Sequence, residues 1–182
     1  SFRVIDAEVE AEAALERRAR YDELTGLLSR REVLERVQAI TMHNRRPGGR
    51  TAVLFCDLDR FKEVNDTHGH AVGDAVLRAV AERLGECIRH GDLAARVGGD
   101  ELMAVLDGLH GIDDALRVAE KVRAAVAMPI ASMGVPVETS VSIGVTMARP
   151  GEDIDALVAR ADSAMYEAKR SGRNQVIAIA EA

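Results

Sequence analysis

Apolar residues follow two different periods along the chain. Short apolar runs between turn residues are typical of buried strands, and they occur at Thr51–Cys56, Leu93–Val97, Leu102–Leu106, Glu138–Thr146 and Val176–Ile179. Longer segments with apolar residues three or four positions apart predict amphipathic helices, namely Val33–Ile40, Val76–Ile88, Ile112–Val126 and Ile154–Ala168. Because strands and helices interleave without internal repeats, the sequence predicts an α/β fold in which helices cover one sheet.

Turn signals connect these elements. Ser29 with Glu32 three positions later forms a capping box, which predicts the start of a helix, and Pro47-Gly48-Gly49 predicts its end. Met133-Gly134 predicts the turn of a small hairpin. A polar segment, 61–73, precedes the next predicted helix.

The first twenty residues are rich in Ala, Glu and Arg. Residues 4–20 favour a helix, but the apolar positions at Ile5, Val9, Leu15 and Ala19 are too few to establish a coiled coil, which needs several heptads. We expect a solvated linker helix that pairs only in a dimer. Because the sequence begins at Ser1 within this helix and without an initiator Met, we expect it to be a piece of a longer protein.

Composition and charge narrow the class of protein. The 182 residues suit one domain with a short appendage, and 47% hydrophobic residues are enough for a sizeable core. A net charge of −6 without a dense Lys/Arg block argues against binding to a nucleic-acid polymer. Cys56 and Cys87 are expected to be free thiols in a reducing compartment. No apolar run has the length of a membrane span, and no signal-peptide pattern is present, so we expect a cytoplasmic location without membrane contact.

Carboxylates stand at two places where a buried strand is predicted to meet solvent. Asp57 and Asp59 follow the run 51–56, and Asp100 and Glu101 follow Gly98-Gly99, a dipeptide suited to a tight hairpin because both residues accept positive φ. If the two strands are neighbours, these carboxylates converge on one oxygen-rich site. Such a site suits Mg²⁺ shared with a polyphosphate, which the glycines would let approach the backbone. An ordinary acidic hairpin is a comparable interpretation.

Five motifs in one order resemble a known family, the GGDEF family of diguanylate cyclases, from Tyr21 almost to the C-terminus. They are Asp22-Glu23-Leu24-Thr25-Gly26-Leu27, Asp57-Leu58-Asp59-Arg60-Phe61-Lys62, Asn65-Asp66 through Gly69-His70 to Gly73-Asp74, Gly98-Gly99-Asp100-Glu101, and Ala161-Asp162 through Tyr166 and Lys169 to Gly172-Arg173-Asn174. The resemblance implies a palm-like α+β fold, as in nucleotidyl cyclases, with a central, mostly antiparallel, five-stranded sheet flanked by helices. It also implies a linker helix at 1–20 and a catalytic domain at 21–182.

The resemblance implies a metal site. Asp57 and Asp100 match the family's Mg²⁺ ligands, together with the Leu58 carbonyl, and Mn²⁺ is expected to substitute for Mg²⁺. Asp100 also matches the family's proposed general base. Glu101 is adjacent and could serve a second ion, since two ions would stabilise both the attacking and the leaving oxygen.

The resemblance also assigns the nucleotide contacts. Lys62 matches a lysine that offsets charge on the phosphoryl group, and Asn65 and Asp74 match the guanine readers. Asp74 fits physically, because a carboxylate only accepts hydrogen bonds and guanine offers N–H donors. The remaining members of the predicted substrate-binding set are Phe61, Gly98, Gly99, Lys169 and Arg173, and the last two are expected on one helix face if the helix extends that far. His68 and His70 flank Gly69 and are given structural roles.

An Arg-x-x-Asp pair, Arg89 and Asp92, resembles the family's inhibitory site for the product. Guanidinium suits phosphate and guanine acceptors, while the carboxylate takes guanine N–H donors. Two positions depart from the commonest family pattern: Leu102 stands where Phe is usual, and Val97 where an aromatic residue is frequent. Both are apolar changes that packing should accommodate.

The expected activity is the Mg²⁺-dependent condensation of two GTP molecules into cyclic di-GMP and two pyrophosphates. Since one site holds one GTP, we expect a homodimer, with a sensory or regulatory domain N-terminal in the full-length protein and cyclic di-GMP as product and inhibitor. One alternative is a catalytically silent domain that binds GTP or cyclic di-GMP as a sensor or dimerisation module. Another is a cyclase with a different product, against which Asp74 argues.

Overall fold

The structure is a computed structural model that describes residues 2–43 and 50–179. Its helices are α1 (Phe2–Arg20), α2 (Arg30–His43), α3 (Phe61–His68), α4 (His70–Cys87), α5 (Ile112–Ala127) and α6 (Ile154–Arg170). Its strands are β1 (Leu28–Ser29), β2 (Arg50–Leu58), β3 (Leu93–Arg96), β4 (Glu101–Leu109), β5 (Ile130–Ser132), β6 (Val135–Val137), β7 (Val141–Met147) and β8 (Val176–Ala178).

The central sheet has the order β1-β3-β4-β2-β7-β8, with β5 and β6 forming a separate hairpin. Strand β2 lies in the middle and pairs antiparallel with β4 and β7, whereas the two outer pairs, β1 with β3 and β7 with β8, are parallel. The predicted mixed α/β class with a mostly antiparallel sheet is therefore confirmed. The sheet has six strands instead of the predicted five, because the two-residue β1 is too short to produce a periodic signal.

Both faces of the sheet are covered, which explains why its central strand is a continuous apolar run. Along β2, Leu54 and Cys56 face α4 and α5, while Val53 and Phe55 face α2 and α6. Gly144 on β7 allows close packing of α6, since a Cβ there would lie 2.2 Å from the backbone nitrogen of Met165. Both cysteines are free, as expected.

Helix α1 has no buried residue. Its apolar side chains are exposed, up to 89% for Phe2, in agreement with a solvated helix. In the part of the chain that the structure describes, no helix combines the length and hydrophobicity that crossing a membrane requires.

Several local predictions can be compared directly with the structure. The Ser29 hydroxyl accepts a hydrogen bond from the Glu32 amide at 3.2 Å, as a capping residue does, and Met133 and Gly134 have φ of 50° and 80° in the hairpin turn. The polar segment 61–73 contains α3 and the first turn of α4. Strand β7 begins three residues later than predicted, at Val141. Pro47-Gly48-Gly49 lies outside the described residues.

Candidate active site

The strand register brings the predicted metal ligands together. Asp57 on β2 lies opposite Glu101 on β4, and the Leu58 amide donates to the Asp100 carbonyl at 3.0 Å. Carboxylate oxygens of Asp57, Asp100 and Glu101 lie within 4.8 Å of one another. Within residues 2–43 and 50–179, this is the one group of acidic, His or Cys side chains close enough to hold an ion. The expected convergence of the two strand ends is confirmed for these three residues.

The electrostatics of this acidic cluster favour a cation. Burial raises the pKa of Asp57 to about 7, the charge of Asp100 adds to the rise, and Lys169 opposes it. Burial also raises the pKa of Glu101, again with a contribution from Asp100. The Asp57 Oδ1 atom is 3.1 Å from Lys169 Nζ, yet this buried oxygen has no hydrogen-bond partner of acceptable geometry among the described residues. Repelling carboxylates with an unsatisfied oxygen fit a hard divalent cation such as Mg²⁺.

Asp59 does not join this cluster, contrary to expectation. Its carboxylate is 5% exposed and is already surrounded by donors. Oδ1 accepts from the Ser142 hydroxyl at 2.6 Å. Oδ2 accepts from the Ser140 hydroxyl at 2.6 Å and from the Asn174 amide at 3.0 Å. The second carboxylate of the Asp57-Leu58-Asp59 motif therefore stabilises loops beside the site and is not available to a metal.

The predicted guanine readers lie on two adjoining helices. Asn65 is on α3, and Asp74 is an exposed residue in the second turn of α4. Gly73 lets them approach, because a Cβ at that position would lie 1.8 Å from Asn65 Oδ1 and 3.3 Å from the Phe61 ring. Sequence reasoning missed this role of Gly73. The sequence did contain a signal for it, because glycine disfavours a helix interior and Gly73 stands directly before Asp74.

The predicted phosphate contacts are placed differently from expectation. Helix α6 ends at Arg170, so Lys169 is helical while Arg173 lies in the following loop with φ of 64°. The helix does not extend as far as Arg173, so the two side chains do not share a helix face. Arg173 and Arg60 line a cavity of about 650 Å³ beside the start of α3. Lys62 is exposed on α3.

The loop from Val97 to Asp100 is held by a side chain that sequence reasoning did not single out. Arg96 donates to the carbonyls of Gly98 at 3.1 Å and Gly99 at 2.7 Å, and its guanidinium pairs with Asp22 at 3.3 Å. Strands β3 and β4 pair antiparallel on either side of this loop, so the predicted hairpin is confirmed, but neither glycine has the expected positive φ. The small size of Gly98 matters instead, because a Cβ there would lie 2.5 Å from a Glu101 oxygen, whereas a Cβ on Gly99 would meet no atom within 4 Å.

The structure places Arg89 and Asp92 at the far end of β4. Both line a cavity of about 400 Å³, together with Arg117 and Lys121 of α5. The Asp92 carboxylate accepts from the Arg89 amide at 2.9 Å and from the Asp107 amide at 3.2 Å. The two positions that depart from the family pattern, Val97 and Leu102, are buried at 7% and 1% exposure.

Comparisons with known proteins show the family to which the chain belongs. Residues 19–175 match the family described as diguanylate cyclase, GGDEF domain. The chain is 41% identical over 167 residues to the diguanylate cyclase DgcM of Escherichia coli K12, covering 92% of this chain and 40% of DgcM. The GGDEF domain of TpbB (YfiN) from Pseudomonas aeruginosa has a TM-score of 0.82 at 41% identity, covering 87% of this chain and 93% of that one.

A third comparison includes the N-terminal helix. The coiled coil and GGDEF domain of DgcB from Caulobacter crescentus, solved in complex with c-di-GMP, has a TM-score of 0.82 at 30% identity and covers 97% of both chains. The acidic cluster, the fold and the sequence match thus define the class: this chain belongs to the GGDEF family of diguanylate cyclases. It spans 40% of the length of its curated relative DgcM.

Proposed function

We propose that this chain is the catalytic domain of a diguanylate cyclase that condenses two GTP molecules into cyclic di-GMP and two pyrophosphates. The observation that carries the proposal is the acidic cluster of Asp57, Asp100 and Glu101, whose oxygens lie within 4.8 Å of one another. One oxygen of this cluster is buried without a hydrogen-bond partner among the described residues. The chain also belongs to a family named for this reaction.

The acidic cluster would hold Mg²⁺, with Mn²⁺ as the substitute. Asp57 and Asp100 are the proposed ligands, with the Leu58 carbonyl as a further oxygen and Glu101 as a ligand to a second ion. The metal would offset negative charge on the phosphate oxygens. In its absence Lys169, at 3.1 Å from Asp57, is the nearest counter-charge in the site.

Recognition of GTP is assigned to side chains of α3, α4 and α6. Asn65 and Asp74 would read guanine, and Asp74 would accept its N–H donors, so that a base without those donors would leave the carboxylate unpaired. Phe61 lies beside Asn65, against Gly73. The phosphates would be bound by Lys62, Lys169 and Arg173, while Gly98 and Gly99 leave space for them to approach the backbone.

The reaction forms one bond and breaks one at each α-phosphorus. The ribose 3′ oxygen of one GTP attacks the α-phosphorus of the other, the bond to the β-phosphate breaks, and pyrophosphate leaves. The 3′ proton passes to a carboxylate, for which we propose Asp100. Glu101 is adjacent and is proposed as a second catalytic carboxylate. Lysine and arginine charges would offset the charge that develops on the phosphate.

Synthesis requires two copies of the domain, because the product contains two nucleotides and each 3′-hydroxyl must reach the opposite α-phosphate. We propose a homodimer with the two sites facing each other about a two-fold axis.

Residues 1–20 would act as the signalling and linker helix and residues 21–182 as the catalytic domain. A sensory or regulatory domain would precede them. We propose a cytoplasmic location, because GTP is a substrate of the cell interior and both cysteines are free thiols.

Arg89 and Asp92 would bind the product and inhibit synthesis. Their cavity of about 400 Å³ is also lined by Lys121 and by Arg117, which pairs with Asp114 there, and these cations support the binding of a ligand with phosphates.

The test is incubation with GTP and Mg²⁺ at a series of protein concentrations, followed by chromatography of the products. We expect cyclic di-GMP and pyrophosphate to rise more steeply than linearly with protein concentration. Absence of product at high concentration, with GTP or cyclic di-GMP still bound, would instead identify a silent sensor or dimerisation domain.

A further inference from the structure

Asp59 is a buried carboxylate for which the proposed metal and nucleotide contacts provide no role. Its two side-chain oxygens accept hydrogen bonds from the hydroxyls of Ser140 and Ser142 and from the Asn174 backbone amide. Its own amide donates to the Ser140 carbonyl at 2.9 Å. An ionised carboxylate is the side chain that can accept from three donors at once without presenting a donor of its own.

Asn174, which donates to Asp59, lies in the loop that follows α6, and the backbone of this loop has an uncommon conformation. Three successive residues have positive φ: 119° for Gly172, 64° for Arg173 and 46° for Asn174. Residues other than glycine seldom adopt this conformation and retain it only where the surroundings determine it. The Asn174 amide lies at the end of this left-handed stretch, so its bond to Asp59 fixes the direction in which the chain leaves it.

A second contact holds the same loop from α5. Arg123 donates to the Asn174 side-chain oxygen at 2.9 Å and also pairs with Glu120 on its own helix. The Arg173 amide is bonded to the Ala168 carbonyl at 3.0 Å, which ties the loop back to α6. Asn174 is therefore held on its backbone by Asp59 and on its side chain by Arg123.

Between these contacts stands Arg173, the proposed phosphate contact. It is exposed, it has no ion-pair partner within residues 2–43 and 50–179, and it lines the 650 Å³ cavity beside Arg60 and the start of α3. We propose that Asp59 is a positioning residue for the GTP phosphates: it fixes the left-handed loop and so places the Arg173 guanidinium, with Arg123 as a supporting contact. This inference rests on the proposed function, because it assigns Arg173 to the triphosphate.

The kinetic test uses Asp59→Asn, which keeps the shape of the side chain. The new amide group would direct N–H donors at neighbours that are themselves donors to Asp59. We expect the KM for GTP to rise about tenfold and kcat to change less than about threefold, since binding is lost in ground and transition state alike. In an Arg173→Ala background the same change should add less than about twofold. Equal effects in both backgrounds, or an unchanged KM, would overturn the proposal.

A metal titration separates positioning from ligation. The Mg²⁺ concentration for half-maximal activity should be the same in Asp59→Asn as in the unmodified chain. A shift of more than about fivefold would make Asp59 a metal ligand and the proposal wrong.

Amide hydrogen exchange tests the loop without any nucleotide. In Asp59→Asn, the Asn174 amide should exchange at least about tenfold faster, while the Ile179 amide, bonded to the Val145 carbonyl at 3.2 Å, should not change. Unchanged protection of Asn174 would contradict the positioning role. If the unmodified chain makes no product from GTP, the proposed function fails, whereas this measurement still decides whether Asp59 holds the loop.

If Asp59→Asn does not unfold cooperatively, Arg123→Ala replaces it as the test. This change removes the supporting contact to Asn174 and should raise the KM for GTP about threefold. The matched control is Glu120→Ala, which removes the same ion pair but leaves the bond from Arg123 to Asn174, and it should not change KM. Equal changes in KM for the two variants would overturn the proposal.

Discussion

The two ends of β4 hold their carboxylates in opposite ways. At its beginning, Asp57 and Glu101 face each other across the strands with raised pKa values and an unsatisfied buried oxygen. At its far end, both oxygens of Asp92 accept backbone amides. The far end is satisfied by the protein's own amides, whereas at the near end the Lys169 ammonium, 3.1 Å from Asp57, offsets only part of the charge of three carboxylates. The difference separates a carboxylate cluster whose charge favours a bound cation from a carboxylate that the chain itself satisfies.

The largest expected effect comes from Asp57→Asn. Removing this proposed ligand should lower the rate of cyclic di-GMP formation by at least about 1,000-fold, measured by product chromatography. The same change removes a repelling charge from the acidic cluster, so the metal-free protein should unfold at a higher temperature than the unmodified chain. A lower unfolding temperature would mean that the cluster is not strained without metal.

Gly73→Ala should have the next largest effect. The new Cβ would lie 1.8 Å from Asn65 Oδ1 and would displace a guanine reader, so we expect the KM for GTP to rise about 10- to 100-fold. The matched control is Gly85→Ala in the same helix, where a Cβ meets nothing within 4 Å. It should leave KM unchanged and stabilise α4 slightly. Similar KM values for both variants would exclude the steric role of Gly73.

At the far end of β4, Arg89→Ala should weaken inhibition by the product. We expect the cyclic di-GMP concentration that halves the rate to rise about tenfold, because a guanidinium contact to phosphate or guanine is lost. The measurement compares inhibition curves at matched initial rates. A variant inhibited like the unmodified chain would show that this cavity does not bind the product.

The smallest effect concerns pH. Folding raises the pKa of Asp57 from 3.8 to about 7, so the folded metal-free protein binds a proton that the unfolded chain has released. Its free energy of unfolding should therefore fall as pH rises from about 4 to 7. Mg²⁺ competes with that proton, and should raise the unfolding temperature about 2 °C more at pH 8 than at pH 5. Asp57→Asn should reduce this pH dependence, and an equal Mg²⁺ effect at both pH values would contradict it.

Much of the fold and the acidic cluster could be predicted because each depends on local sequence patterns. The apolar run 51–56 predicts a buried strand, and the two acidic strand ends needed only an antiparallel neighbour to converge. The fate of Asp59 could not be predicted, since it depends on Ser140 and Ser142, more than 80 positions away. The conformation of the loop at Arg173 and Asn174 could not be predicted either, because non-glycine residues give no clear sequence signal for positive φ.

The length of β4 has a kinetic consequence. Glu101 and Asp107 are six positions apart, which is about 20 Å along an antiparallel strand. If a cyclic dinucleotide binds beside Arg89 as proposed, it would leave the acidic cluster of the same protomer open. Substrate and product should be bound simultaneously, and raising the GTP concentration should not restore the rate. Inhibition would then be noncompetitive and would lower the maximal velocity.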